Sequence, residues 1–254
     1  IDYSSTSSLK KTFKNDNNYE EGIYILADSR QNPLFEILLG KDQKFSIRVE
    51  DLMDIESYDI NGSKETAAYF DVYFKTTYNT LYIKALESEM EYYPDNKNKI
   101  DLAKRELYEY QESMLSKDTT SFLNTYIKYI EKNPNHEDSI SDLFFESAPL
   151  NDIRVLNSRL LKNKLDEYFD IYMSSYPPEY ICKKIDDILN KTKETKIRDY
   201  ILWYLYSKYF NPEDVKNELV YIHLADNYFS ILTIDNLTEN IRNQIVKRAN
   251  ILRN

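Results

Sequence analysis

The chain has 254 residues, with 33 Lys and Arg against 43 Asp and Glu, a formal charge of −10 at pH 7. So acidic a balance repels phosphate and argues against a nucleic-acid partner, and a mean hydropathy of −0.64 without a long apolar run leaves no membrane span. Hydrophobic residues at 42% suffice for a core, and 14% aromatics argue against disorder.

The chain opens on Ile1 rather than Met, which reads as a processed product or a piece of a longer protein, with its targeting signal out of view. The three glycines, Gly22, Gly40 and Gly62, all precede the long C-terminal stretch. Glycine serves tight hairpin turns and helix C-caps. Its loss after Gly62 predicts helices joined by Pro and Asn turns rather than a hairpin-rich sheet. The chain divides near Asn61-Gly62-Ser63 into a β-rich segment, 1–62, and an all-helical domain, 63–254.

Residues 1–21 are rich in Ser and Asn and read as a flexible arm. Short β-like runs follow at 22–26, 34–39 and 45–49, the last alternating apolar and polar with period two. Tyr58-Asp59-Ile60 reads as a fourth strand, and four short strands predict one small sheet that needs a cover. Beyond Ser63, a plausible N-cap, the period becomes helical. Phe70, Phe74, Tyr78, Leu81 and Ala85 mark the first helix, which ends by Pro94. Further helices are marked by Ala103 to Met114, by Leu123 to Ile130, by a short segment at Leu143-Phe144-Phe145, and by Leu156 to Tyr172. Pro178 is placed to open the next. The run 200–209 is apolar nearly all round and reads as central. Pro212 precedes another helix, and the last starts near Asn236. The expected fold is mainly α, an array of about nine helices after a small antiparallel β segment.

Few groups invite chemistry. The histidines are His136 and His223, and Cys182 is the single cysteine. One cysteine forms neither an internal disulfide nor a Cys-x-x-Cys pair, and leaves the redox compartment open. The three side chains lack zinc-ligand spacing. Cys182 shares a helix side with Ile185 and Leu189 and reads as a small buried hydrophobe. His223 reads as a structural partner of Asp226, three residues on, and His136 as solvated in a polar turn. The pairs Asp186-Asp187 and Glu20-Glu21 are adjacent, so their carboxylates do not face one substrate. Ser7-Ser8-Leu9-Lys10 matches a Ser-x-x-Lys pattern, but falls in the arm. The 24 tyrosines recur at helical spacing and read as core with hydroxyls reaching outward. The basic end (Arg242, Lys247, Arg248, Arg253) reads as a terminal helix whose cations complement its own dipole. No catalytic, cofactor-binding or metal-ligating residue is expected.

The order of segments resembles a known family. The carrying runs are Gly22-Ile23-Tyr24, Phe35-Glu36-Ile37-Leu38-Leu39, 42–47, Asn61-Gly62-Ser63-Lys64-Glu65, 157–168 and, most specific, the HLADNYF segment within 220–229. Together they resemble the region upstream of the thioredoxin-like domain in exported thiol-disulfide oxidoreductases of Gram-negative bacteria: part of a β-rich domain, then a helical domain of unknown function. The resemblance implies a thioredoxin-like domain after residue 254 and a periplasmic or cell-envelope location. It also implies a non-catalytic accessory role, positioning that domain or presenting client proteins to it. The family's Cys-x-x-Cys belongs to the later domain and has no counterpart here. An alternative from the residues alone is a module binding glycan or peptide through tyrosine-rich helical surfaces.

Overall fold

A computed structural model describes residues 13, 17–51, 54, 57–116, 118–132, 144–145, 148–210 and 215–253. The chain is mainly α, with two small antiparallel β hairpins ahead of the helices. Strands β1 (Gly22–Ala27) and β2 (Pro33–Leu39) pair with Gly22 opposite Leu39 and Ile25 opposite Glu36. Strands β3 (Ser46–Val49) and β4 (Tyr58–Asn61) pair with Ile47 opposite Ile60. The single four-stranded sheet expected from the sequence is therefore two separate ribbons. An isolated ribbon is marginal in water, and the cover comes from the helices. Ile37, Leu38 and Leu39 join the helices' own core, and Phe35 meets Phe70 and Tyr58 edge-on.

Eight α-helices come next among the described residues. They are α1 (Lys64–Ser88), α2 (Asn96–Ser113), α3 (Phe122–Ile130), α4 (Leu160–Asp166), α5 (Pro178–Lys191), α6 (Thr195–Tyr209), α7 (Val215–Leu224) and α8 (Glu239–Leu252). A 3-10 turn at Ile153–Asn157 precedes α4. The ninth expected helix is the segment at Leu143-Phe144-Phe145. Leu143 lies outside the described residues, and Phe144 and Phe145 sit in a turn. Two local expectations hold: the Ser63 hydroxyl accepts from the Thr66 N–H (3.1 Å), and Pro178 occupies the first turn of α5.

Helix α6 is central: Ile197, Ile201, Leu202 and Leu205 are fully buried. Helix α1 departs from its predicted stripe. It buries Tyr69, Phe70, Val72 and Leu86, but leaves Tyr78 66% and Leu81 62% exposed. At 1.5 Å per residue, α1 runs about 37 Å and outreaches the elements packed on its first half. Helix α2 folds back along it, and the tip residues 87–95 are all exposed. Lys128 of α3 ties the base of α2 by an ion pair to Glu112 (3.0 Å) and also pairs with Glu131 at the end of its own helix (3.3 Å).

Residues 17–21 are held against the fold rather than free. Tyr19 and Gln43 exchange hydrogen bonds (2.8 and 2.9 Å), and Glu21 pairs with Arg154. The expected arm thus ends before Tyr19. Residues 1–12 and 14–16, with the Ser-x-x-Lys match, lie outside the described residues, as does His136.

Candidate functional site

A polar cluster lies between α5 and α7. Cys182 and Asp186 stand one turn apart on α5, and His223 projects from α7. The α-helical repeat then loosens to a π-turn at Ala225–Phe229. Such turns insert a residue and re-aim the side chains beyond it. Here Asn227 and Tyr228 both turn back toward His223. The Tyr228 hydroxyl donates to Asp186 Oδ1 (2.5 Å), and the His223 Nε2 lies 2.7 Å from the same oxygen. The Asn227 amide nitrogen lies 3.0 Å from His223 Nδ1 and also donates to the His223 carbonyl (3.0 Å). With the amide donating to Nδ1, the ring proton sits on Nε2 and points at Asp186.

This corrects the expected partner of His223, which is Asp186 of another helix rather than Asp226. Asp226 instead forms an ion pair with Arg253. Both nitrogens of His223 are engaged, and through Asp186 the ring links α7 to α5. Cys182 is half-buried rather than fully covered. Burial first, and then the Asp186 and Glu179 carboxylates, push its thiol up to about 11. That is the reverse of an activated thiolate. Burial, and after it the hydrogen bond to Asp186, hold the Tyr228 hydroxyl above its ordinary range.

The basic terminal helix also differs from expectation. Two of its four cations, Arg242 and Arg248, serve the ends of other helices. Arg242 donates to the Phe229 and Leu232 carbonyls at the end of the α7 π-turn. Arg248 donates to the Phe210 carbonyl that ends α6 (2.9 Å) and stacks on the Phe210 and Tyr221 rings. These are C-terminal carbonyls, where the helix dipole favours a cation.

The tyrosines divide. Tyr69, Tyr126, Tyr129, Tyr168, Tyr209 and Tyr221 are core, whereas Tyr73, Tyr78, Tyr82, Tyr92 and Tyr93 lie exposed on the α1–α2 hairpin. Leu81, Met90 and Leu102 join this exposed surface. Its tip carries Glu87, Glu89, Glu91 and Asp95. Sequence periodicity missed this surface because it assigns a stripe without knowing how far the covering elements reach.

Sequence reasoning also missed Lys164. It lies buried over the Phe144 ring (4.3 Å), and burial holds its ammonium below the usual range. Among the described residues, no three His, Cys, Asp or Glu side chains gather as ligands to one metal ion.

A cleft of about 360 Å³ lies beside β1. Its walls are Ile23, Tyr24 and Ile25 of β1, Glu36 of β2, and Asn157, Ser158 and Arg159. No protein-family model, characterised protein or solved structure matches the chain. No helix among the described residues is long and apolar enough to cross a membrane.

Proposed function

We propose that the chain is a non-catalytic accessory module of an exported thiol-disulfide oxidoreductase, holding a thioredoxin-like domain that comes after residue 254 and works outside the cytoplasm. The observation that carries this reading is the outer half of the α1–α2 hairpin. Tyr78, Leu81, Tyr82, Met90, Tyr92, Tyr93 and Leu102 face solvent together on one projecting element. So many large apolar side chains exposed on one element suit a protein contact. Among the described residues, His223 and Tyr228 are both drawn to Asp186, a contact that joins α7 and its π-turn to α5. Helix α8 supports the reading from the other end. Arg253 pairs with Asp226 and Arg242 grips the end of α7, so the segment carrying the family resemblance also fixes the direction of the last helix. A domain attached there is held at a high effective concentration.

The test begins with the coding sequence downstream of codon 254, where a thioredoxin-like segment with Cys-x-x-Cys is expected. Hydrogen exchange is then compared for this chain alone and joined to that segment. Slowed exchange in 78–102 is the expected result. An unrelated downstream segment, or unchanged exchange across the hairpin, overturns the proposal.

A further inference from the structure

Two acidic side chains stand where helix ends disfavour them. Glu112 lies in the last turn of α2, which carries no basic residue, and Glu131 is the C-cap of α3. The carbonyls of a helix C-terminus favour a cation and oppose a carboxylate. Glu131 is also buried, with 6% of its side chain exposed against 38% for Glu112. One ammonium serves both. Lys128 Nζ lies 3.0 Å from Glu112 Oε1 and 3.3 Å from each Glu131 oxygen. The two carboxyls also hydrogen-bond to each other across the α2–α3 junction. An ionised carboxylate only accepts, so a bond between two carboxyls needs a proton on one of them.

The surroundings place that proton on Glu131. Tyr108 of α2 faces both carboxyls, and Lys164 of α4 faces Glu131, with Lys132 and Glu167 beside it. Lys132 is paired with Glu167, and Lys164 sits over the Phe144 ring. Lys128 is thus the cation that touches both acids. Two carboxylates against one ammonium would leave surplus negative charge, whereas one added proton makes the cluster neutral. Burial, and then the bond to Glu112, raise Glu131 above the ordinary 4.5. The bonds to Lys128 and to Glu131 lower Glu112.

We infer that Glu112 and Glu131 share one proton at this junction, and that the proton governs how firmly the base of the α1–α2 hairpin is held to α3. The inference rests on the reading of that hairpin as a contact surface and gives it a pH-dependent anchor. A folded-state value raised above the unfolded one stabilises at low pH, and the gain is lost as pH rises through the raised value. The lowered value of Glu112 acts in the opposite sense, and its gain is lost as pH falls through it. The junction is therefore tightest between the two values, with Glu131 neutral and Glu112 paired to Lys128.

Carboxyl-carbon chemical shifts of the glutamates read the proton. Hydrogen exchange over 108–113, corrected for the intrinsic rate at each pH, reads the grip. In the native chain one step is expected above 4.5 and one below it, both belonging to the pair. Protection of 108–113 should fall roughly fivefold as pH rises through the upper step, the scale of one hydrogen bond. Glu131→Gln keeps a neutral donor and should hold its protection through that step. Glu112→Gln leaves Lys128 to Glu131 alone and should bring the upper step down. A Glu131 that titrates at the ordinary value, or the same loss of protection in Glu131→Gln, overturns the inference. Ordinary titration with the hairpin still protected by the downstream domain overturns the shared proton alone. The expected titration with an unprotected hairpin overturns the docking reading instead.

Discussion

Gly40 and Glu65 show how one missing side chain sets a contact between elements. The Glu65 carboxylate reaches from the first turn of α1 to accept from the Ser121 hydroxyl (2.7 Å) and the Leu123 N–H (3.0 Å). It thereby caps α3, whose own Ser121 makes no side-chain cap. A Cβ on Gly40 would lie 1.8 Å from the Glu65 Oε2. Gly40→Ala should therefore expel the carboxylate and cost about 1–2 kcal/mol, the scale of a lost cap. Glu65→Ala should cost a similar amount and the double variant little more, measured by urea unfolding. Full additivity would show that the two residues act separately. At the α5–α7 clamp, His223→Ala should cost about 1 kcal/mol, and Asp226→Asn less, because its pair with Arg253 is solvent-exposed. The sequence made His223 legible as structural, but not its partner, since Asp186 lies 37 positions away. Only the packing of α5 on α7 brings the two together.

Among the elements, the helices were readable wherever a local rule decides them. Ser63 and Pro178 start helices by satisfying or lacking an N–H, and that chemistry needs no tertiary contact. The π-turns at Glu167–Tyr172 and Ala225–Phe229 were not legible, because an inserted residue leaves no mark on the 3.6 repeat. The hairpins were legible as strands but not as two sheets, since strand pairing is set by what covers them. The capping arginines of α8 were equally hidden, as their acceptors are carbonyls of α6 and α7. They give the element-level prediction. Arg248→Lys keeps the charge but loses the planar stack on Phe210 and Tyr221, and should lower stability by about 1–2 kcal/mol. Lys247→Ala, one position away, should change it by less than about 0.5 kcal/mol. Equal losses in urea titrations would show that charge alone matters at this end.

For the whole molecule, the buried tyrosines couple folding to alkaline pH. Burial raises the hydroxyls of Tyr69, Tyr126, Tyr129 and Tyr209 above the ordinary 10.0. A raised acid stays protonated in the folded state, so its stabilising effect is complete below about pH 10 and is lost as pH rises beyond it. Tyrosinate absorbance should therefore appear in two steps. The exposed rings ionise first, and the buried ones later, together with loss of the far-ultraviolet helix signal. A single smooth titration with helix retained would contradict the burial pattern. At neutral pH the same fold leaves the tyrosines of the α1–α2 hairpin exposed. The claim beneath this account is that the chain works by holding partners and performs no thiol chemistry of its own. Insulin reduction by dithiothreitol, monitored as turbidity with the purified chain added, tests it most directly. The account predicts a rate equal to the blank for both the native chain and Cys182→Ser; an acceleration that Cys182→Ser abolishes would contradict it.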